Sequence, residues 1–532
     1  MPTLVAALFC LLFCLEGIVF IPYLGLQNDE ALFSEIVYPP YSNLYSIRIF
    51  GHVRFPTMMM SYLGTLKAGL FEGIFALVGP SIWSVRIPVL LAGAATVWLF
   101  FVLMRRIAGA RAAIASTALL AADAAFVMTT TMDWGPVALQ HLLLVSGLLL
   151  LLRFHDSGRL WFLAGGFFLF GLALWDKALF SWSLAGLVAG AVVVFPRPLF
   201  QRLTRRNLAV AVVSLLVGAA PLVSFNIKHR METFRGNAHF SSEDLSQKET
   251  ELWRTLDGSS LFGYMVRDEP PLEAARPTTR MEALSIRVSE AFGRRRPGLL
   301  PFAMLLALAL LPWLWKTPAR KPMLFALVFM AVVWLQMAFT QNAGSGAHHV
   351  VLLWPFPQLF AGVGLAAASR KLGRAGLPAL AAVLIAICGS GVVVLNQYLA
   401  QLVQDGPTVV WTDAINPLST YLRRTSARHV WVVDWGILNS LRILNAGKLP
   451  LDLTPQEIPG DAQSQAAAVR AMGVDDAVFL AHTPGNEMFL GVNAALDRAA
   501  RAAGLRHEVL AIINDGHHRP VFQVYRYVEA AP

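Results

Sequence analysis

Apolar runs long enough to cross a lipid bilayer recur along this chain and constrain its fold more than any other feature. The first extends from about Thr3 to Tyr23, and a helix of about twenty apolar residues spans the hydrocarbon core of a membrane. Of the 532 residues, 56% are hydrophobic and only 14% are charged, which excludes a soluble protein. The sequence therefore predicts a polytopic α-helical membrane protein.

About eleven segments are expected to be transmembrane helices, near residues 3–23, 82–104, 110–130, 135–153, 160–175, 178–195, 207–226, 298–315, 323–340, 350–368 and 376–395. The first lacks a basic leader and a small-residue cleavage site, so we expect a retained helix and not a signal peptide. Residues 57–79 are ambiguous because Lys67 and Glu72 interrupt the apolar run. We expect the whole segment 25–81 to lie along the outer membrane surface as short amphipathic helices.

Basic residues are concentrated in one set of short loops, at Arg105, Arg106, Arg111, Arg153, Arg159, Arg197, Arg202, Arg205, Arg206, Lys316, Arg320, Lys321, Arg370, Lys371 and Arg374. Short loops rich in Lys and Arg face the cytoplasm. We therefore expect a multi-pass protein of a bacterial-type plasma (inner) membrane, with the N-terminus in the cytoplasm. The net charge of +10 follows from this loop pattern, so we expect no nucleic acid partner.

The composition changes after Asn396, where short apolar runs alternate with helix-like stretches. The runs that read as strands are 429–434, 477–481, 509–513 and 521–528, and the helical stretches are around 461–472 and 491–504. This alternation predicts a small α/β domain. We expect a transmembrane domain of residues 1–395, with long outer loops at 25–81 and 227–297, and an extracytoplasmic soluble α/β domain of residues 396–532.

Two adjacent carboxylates, Asp29 and Glu30, follow the first span on the outer side. Unpaired charge at a membrane interface is costly, so two carboxylates there are expected to have a structural or functional role. One reading is that Asn28 or Asp29 caps a short helix beginning near Ala31. The other is that the carboxylates act on a substrate. Adjacent residues on a helix point about 100° apart, so two acting carboxylates would have different roles.

Further polar residues stand at the outer ends of the predicted spans. Arg54 and Lys67 could hold a phosphate near the bilayer surface, although both could equally extend to the lipid headgroups. Asp133 and Lys177 each stand at the outer end of a span. The pair His348-His349 could bind phosphate or metal, but two histidines without a third ligand make a poor metal site. The sequence assigns no cofactor with certainty and leaves a divalent cation open.

Together these motifs, in this order, resemble those of the GT-C superfamily of polyprenyl-phosphate-sugar glycosyltransferases, in particular the branch of protein O-mannosyltransferases and aminoarabinose transferases. The resemblance covers roughly residues 1–370. It rests on Asp29-Glu30, the segment from Pro56 to Lys67, Val85-Arg86-Ile87-Pro88, Arg105-Arg106-Ile107-Ala108-Gly109, Asp133, the stretch from Leu172 to Lys177, and the stretch from His348 to Pro355. Relatives often have Arg-Tyr where this chain has His348-His349, and Pro-Pro where it has Phe55-Pro56.

The resemblance implies a GT-C-like fold and an inverting transfer of a sugar from a polyprenyl-phosphate donor, a membrane lipid, to an unknown extracytoplasmic acceptor, which is a glycan, a lipid or a protein. It implies Asp29 as catalytic base and Glu30 as supporting carboxylate. Phosphate contacts are expected in the order Arg54, Lys67, Lys177 and His348, with Asp133 and His349 also in the substrate site and Arg86 in a structural role.

Two other classes of function compete with this one. A transporter or lipid flippase would also be polytopic and would use acids within the membrane, and a non-catalytic scaffold could bind a partner through the soluble domain. The odd number of predicted spans, the lack of a visible inverted repeat and the large outer domain argue against transport.

Overall fold

The structure, a computed structural model, describes residues 2–38, 44–49, 53–267, 275–455, 461–473 and 476–530. Most of the described chain is helical. The helices are α1 Pro2–Phe20, α2 Asn28–Leu32, α3 Leu66–Val78, α4 Ile82–Ala108, α5 Ala110–Ala121, α6 Ala124–Thr131, α7 Ala138–Ser157, α8 Leu160–Asp176, α9 Phe180–Val194, α10 Pro196–Arg202, α11 Arg205–Gly218, α12 Ala220–Lys228, α13 Glu232–Arg235, α14 Leu245–Leu256, α15 Arg280–Phe292, α16 Leu300–Leu314, α17 Arg320–Ala338, α18 Ala347–Val350, α19 Phe356–Lys371, α20 Gly376–Gln404, α21 Ile415–Leu422, α22 Leu438–Leu444, α23 Ala462–Met472 and α24 Val492–Ala502.

Eight strands accompany these helices in the described segments. They are β1 Tyr45–Ile49, β2 Val53–Met60, β3 Leu63–Gly64, β4 His429–Val432, β5 Leu451–Leu453, β6 Ala477–His482, β7 Leu505–Asn514 and β8 Pro520–Glu529. The first three form one antiparallel sheet, in the order β1-β2-β3, and the other five form a second sheet.

The prediction of a polytopic helical membrane protein is confirmed. Within the described residues, five helical segments are long and apolar enough to cross a membrane, and the number rises to nine if each of four bent helix pairs forms one span. Two shorter apolar helices, α8 and α16, lie where spans near 160–175 and 298–315 were predicted. Only with both of these would the number reach eleven, so that count stays a prediction.

Glycines allow close helix contacts in the bundle. Gly391 of α20 faces the break between α5 and α6, where an added Cβ would overlap the carbonyl oxygen of Ala122. Two residues earlier on the same helix, a Cβ on Gly389 would meet nothing within 4 Å. Since lipid tails are as apolar as the helices, membrane helices associate through such close packing. Gly391 therefore holds α20 against the α5–α6 break.

Strands β1, β2 and β3 form a small sheet, which corrects the prediction of amphipathic helices throughout 25–81. Residues 39–43 and 50–52 of that range lie outside the described residues. Pro56 lies in the central strand β2 and not at a helix start. It is opposite Ser46, next to a shift in the β1–β2 register, where a strand tolerates a residue without an amide proton. Helix α3 follows with 13 residues, which is shorter than a bilayer requires.

The second sheet has the strand order β5-β4-β6-β8-β7. Strands β5, β4 and β6 are parallel, while β8 is antiparallel to both β6 and β7. The four strands expected from the sequence are all present, and β5 is an additional one. Helix α20 continues beyond the expected domain boundary at 395, to Gln404. We call residues 405–530 the C-terminal segment, which contains α21 to α24 and this sheet.

We expect Gly391→Ala and Gly389→Ala to change stability in opposite directions. Alanine favours a helix more than glycine does, by about 1 kcal/mol, and Gly389→Ala should show this gain. Gly391→Ala should instead lose about 1–3 kcal/mol because its methyl group overlaps the backbone at Ala122. Thermal unfolding of the detergent-purified variants measures both effects. Equal midpoints for the two variants would show that α20 does not pack on the α5–α6 break.

Candidate active site

Gln27 caps helix α2, which follows the first span. Its Oε1 accepts hydrogen bonds from the backbone amides of Asp29 at 2.6 Å and Glu30 at 3.0 Å. The Glu30 carboxylate in turn accepts one from the Gln27 amide at 3.4 Å. The prediction that Asn28 or Asp29 caps this helix is therefore wrong, because the preceding glutamine already satisfies the free amides.

The side chain of Asp29 is consequently not needed to cap the helix. It is partly buried and accepts a hydrogen bond from Nδ2 of Asn28 at 3.3 Å. Burial raises the pKa of Asp29 above its ordinary value of 3.8, although hydrogen bonds from the Asn28 and Gln27 side chains lower it in part. A carboxylate with a raised pKa, directly after a span, is suited to accept a proton.

Glu30 has a different environment, although it is the next residue. Its side chain is fully buried, and both carboxylate oxygens accept hydrogen bonds from Arg86 of α4 at 2.9 Å. Arg86 also donates to the carbonyl oxygens of Ile21, Leu24 and Gly25, at 3.1, 2.8 and 2.7 Å. Glu30 thus anchors the turn that precedes α2, and this anchor holds the neighbouring Asp29 in place.

Two tyrosines that the sequence analysis did not identify lie within the electrostatic influence of Asp29. Burial, followed by the charge of Asp29, raises the pKa of both Tyr62 and Tyr264. The Tyr264 ring packs against Trp134, with centroids 5.5 Å apart, and Trp134 packs against Trp411 at 5.4 Å. Tyr264, Trp134 and Trp411 thus form one aromatic cluster, which we call the aromatic wall. Isolated tyrosines in polar loops have no sequence pattern that would have identified them.

Lys67 and Asp133 form a buried ion pair that links α3 to the loop between α6 and α7. The ammonium group lies 2.8 Å from Asp133 Oδ2 and 3.1 Å from its carbonyl oxygen. The other carboxylate oxygen accepts from the amides of Val137 and Ala138, at 2.6 and 3.2 Å. Asp133 therefore neutralises Lys67 and also fixes the start of α7.

Lys177 lies beside this pair but bonds to no carboxylate among the described contacts. Its buried ammonium group donates to the carbonyl oxygen of Gly135 at 2.6 Å. The neighbouring Ala178 amide donates to the Tyr62 carbonyl oxygen at 2.9 Å. A backbone hydrogen bond therefore ties the chain at Lys177 to the chain at Tyr62. Asp176 instead accepts from Gln140 at 2.8 Å.

His348 packs edge-on against Trp134 of the aromatic wall and is tilted against His349. The ring of His348 lies 4.2 Å from that of His349 and 5.8 Å from Trp134, between centroids. A Cβ on Gly135 would overlap His348, so this glycine makes room for the ring. His348, Trp134, Gly135 and Lys177 thus belong to one cluster, which we call the basic cluster together with Lys67 and Asp133.

Arg54 lies apart from the basic cluster in every contact that the structure describes for it. It is exposed on β2, where its guanidinium donates to Ser46 Oγ at 2.7 Å and to the Leu44 carbonyl oxygen at 3.4 Å. These bonds hold the β1–β2 hairpin. The expectation that Arg54 ranks first among phosphate contacts has no support in this geometry.

The described residues include no group of three or more His, Cys, Asp or Glu that could hold a metal ion. Around Asp29, the neighbouring carboxylate is already paired with Arg86. The described residues therefore do not form a ligand set for the divalent cation that the sequence left open.

Comparison with known proteins gives one family match and several structural matches. Residues 67–225 match the family model of dolichyl-phosphate-mannose-protein mannosyltransferases. No curated protein matches the chain significantly. The matched range contains Lys67, Asp133 and Lys177, which belong to the basic cluster. This family match argues against the transporter and flippase interpretation.

Solved structures share the fold over almost the whole chain. ArnT from Cupriavidus metallidurans bound to undecaprenyl phosphate matches with a TM-score of 0.58 and 14% identity, covering 97% of each chain. The same protein in the apo state matches with a TM-score of 0.55 and 16% identity, again covering 97% of each. At such identity the similarity concerns the fold. Taken together with the family match over residues 67–225, it makes the chain similar to membrane glycosyltransferases of the GT-C type.

Proposed function

We propose that this protein transfers a sugar from a polyprenyl-phosphate donor to an extracytoplasmic acceptor, with inversion at the anomeric carbon. Two of the similar proteins support the donor class. ArnT is bound to undecaprenyl phosphate, and the family model describes dolichyl-phosphate-mannose-protein mannosyltransferases. The acceptor is a glycan, a lipid or a protein with a free hydroxyl or amino group.

The observation that carries this proposal is the availability of the Asp29 carboxylate. Gln27 provides the helix cap and Arg86 occupies Glu30, which leaves Asp29 as the carboxylate able to act at the end of the first span. Its raised pKa makes it a stronger base than an exposed aspartate. Asp29 is therefore assigned as the catalytic base, and Glu30 as a positioning residue.

In the proposed step, the acceptor oxygen or nitrogen attacks the anomeric carbon from the face opposite the phosphate. The bond between this carbon and the acceptor forms while its bond to the phosphate oxygen breaks. The acceptor's proton moves to Asp29, and the lipid phosphate leaves with the electron pair. Because a phosphate is a weak base, it needs cationic stabilisation and no general acid.

Lys177 is the better candidate to provide that stabilisation. An ammonium group has three protons to donate, and the described hydrogen bonds of Lys177 use one, while those of Lys67 use two. Lys67 is in addition neutralised by Asp133. The proposed order of phosphate contacts is therefore Lys177, then Lys67 and His348, with Asp133 and His349 lining the same site.

The orientation proposed for the protein follows from the basic loops, which put the N-terminus in the cytoplasm of a bacterial-type cell. Asp29 follows the first span, and this puts the active site on the outer side. The proposed domains are a transmembrane domain of residues 1–395, with outer loops 25–81 and 227–297, and an outer domain of residues 396–532, so that α20 crosses the boundary. A lipid-linked donor and an envelope acceptor would meet on that side.

We expect Asp29→Asn to lower sugar transfer by about 10²–10⁴-fold, because it removes the base while keeping the shape of the side chain. The assay uses the purified protein in liposomes of bacterial lipids and measures release of undecaprenyl phosphate from its mannose and aminoarabinose conjugates. Wild-type activity should fall at acidic pH, as Asp29 becomes protonated, and this limb should lie above pH 3.8, the ordinary pKa of an aspartate.

Asp29→Ala serves as the comparison for the asparagine variant. If the carboxylate acts as a base, both variants lose activity to a similar extent and still bind undecaprenyl phosphate. Transfer by Asp29→Asn at the wild-type rate would exclude this role and leave Asp133 as the next carboxylate to test.

We expect Lys177→Met to raise the KM for the donor by about 10–100-fold, since a hydrogen bond to a charged group contributes about 1.5–3 kcal/mol. Arg54→Met is the matched control, with the same loss of charge at an exposed position, and should change KM less than threefold. Initial rates at varied donor concentration measure both. A larger effect of Arg54→Met would restore the order expected from the sequence.

The proposed orientation predicts which positions react with a membrane-impermeant maleimide in intact cells. In a background without Cys10, Cys14 and Cys388, Leu490→Cys should be labelled, because Leu490 is 90% exposed in the C-terminal segment. Leu203→Cys, in a basic loop and 53% exposed, should be labelled only after permeabilisation. The reverse pattern would place the active site in the cytoplasm.

A further inference from the structure

The C-terminal segment contacts α2 through a buried pair of asparagines. Nδ2 of Asn439 donates to Oδ1 of Asn28 at 3.0 Å, and the backbone amide of Asn439 approaches the same oxygen at 3.4 Å. Asn439 lies in the first turn of α22, where backbone amides have no partner within the helix. Asn28 therefore accepts from the end of α22 while it is itself part of α2.

A second polar contact fixes the same two elements. Arg442, one turn further along α22, forms a buried ion pair of 2.8 Å with Glu35, just beyond α2. In the turn between α1 and α2, the Gly25 amide donates to the Trp411 carbonyl oxygen at 2.9 Å. A Cβ at Gly25 would overlap the Thr412 backbone. The chain on both sides of Asp29 is thus held by the C-terminal segment.

The chemistry of the contact determines which way the Asn28 amide points. A backbone N–H can only donate, so the atom of Asn28 that faces the Asn439 amide must be the oxygen. The shorter bond, from Nδ2 of Asn439 at 3.0 Å, holds this oxygen in place, while the backbone N–H is 3.4 Å away. The nitrogen of Asn28 then points the other way, where it lies 3.3 Å from Oδ1 of Asp29. If the Asn28 amide were rotated by 180°, its oxygen would face the Asp29 carboxylate and repel it.

We propose that Asn439 is a positioning residue for the catalytic base: it orients the amide of Asn28, and Asn28 orients and stabilises the ionised carboxylate of Asp29. This inference rests on the proposed role of Asp29. It gives the C-terminal segment a part in the reaction, because only a docked α22 keeps the donor of Asn28 directed at the base. An undocked segment would leave Asp29 without this hydrogen bond.

The other groups around Asp29 do not substitute for this contact. Glu30 is paired with Arg86, and Glu35 with Arg442. Tyr62 and Tyr264 stay neutral across the physiological range, since burial raises the pKa of each. The Gln27 side chain also lowers the pKa of Asp29. Its orientation is fixed by the α2 cap and so does not depend on the C-terminal segment. Asn28 is the neighbour whose orientation depends on the C-terminal segment.

The test measures the ionisation of Asp29 without using catalysis. A hydrophobic carbodiimide reacts with protonated carboxyl groups, so the pH midpoint of its labelling at Asp29, read by mass spectrometry of the full-length protein in detergent, follows the pKa. We expect Asn439→Ala to raise this midpoint by about half to one pH unit, because the ionised form loses its donor. Release of undecaprenyl phosphate from its mannose conjugate at neutral pH should fall about tenfold with KM unchanged, because the carboxylate is no longer held in one orientation.

Asn445→Ala is the matched control. Asn445 follows α22, is similarly buried, and bonds to Leu441 and Ser419 within the C-terminal segment, not to α2. It should lower stability to a comparable extent and leave the Asp29 midpoint unchanged. If Asn439→Ala does not fold, Asn439→Leu removes the same donor with nearly the same volume.

An unchanged midpoint in the folded Asn439 variant overturns the proposal, as does an equal shift in Asn445→Ala. Failure of the proposed function looks different: the midpoint shifts in the Asn439 variant while Asp29→Asn transfers sugar at the wild-type rate. In that case the hydrogen-bond relay exists but does not serve a catalytic base.

Discussion

The buried ion pair between Glu30 and Arg86 is the interaction on which the site depends. Arg86 is fully buried, and its guanidinium is shared between the Glu30 carboxylate and three carbonyl oxygens of the turn after α1. Removing one partner of such a pair leaves an uncompensated buried charge, at a cost of about 3–5 kcal/mol. The pair fixes α2 against α4. Because Glu30 is bound by Arg86 and the free amides of the helix terminus are capped by Gln27, the carboxylate of Asp29 remains available for chemistry.

The proposed mechanism assigns the residues of the site to two groups, one around the base and one around the phosphate. The base side consists of Asp29, its tyrosines and the C-terminal segment that holds Asn28. The phosphate side is the basic cluster, in which Asp133 neutralises Lys67 and starts α7 while Lys177 keeps two protons free of described contacts. The aromatic wall of Trp134, Tyr264 and Trp411 joins the two sides. The proposed inverting transfer has the acceptor and the leaving phosphate on opposite faces of the sugar, the acceptor at Asp29 and the phosphate at Lys177.

The sequence predicted the membrane fold, most of the helices and the C-terminal strands because these depend on local hydrophobic periodicity. It also directed attention to Asp29, Lys67, Asp133 and Lys177, since charge at the end of a span is unusual. It did not predict the cap by Gln27, a residue less common in that role than Asn or Asp, or the strand at Pro56, which pairs only through a local register shift. The roles of Tyr62, Tyr264 and Asn439 depend on contacts between distant parts of the chain, and no local pattern encodes such contacts.

The proposed mechanism is a single displacement at the anomeric carbon, with Asp29 as base and no covalent sugar–enzyme intermediate. The anomeric configuration of the product tests it most directly. The enzyme would be given a donor of known configuration, and the configuration of the new glycosidic bond would be read from its NMR coupling constants. We predict the inverted product alone. Retention of configuration would require a second displacement through a carboxylate nucleophile and would contradict the role assigned to Asp29.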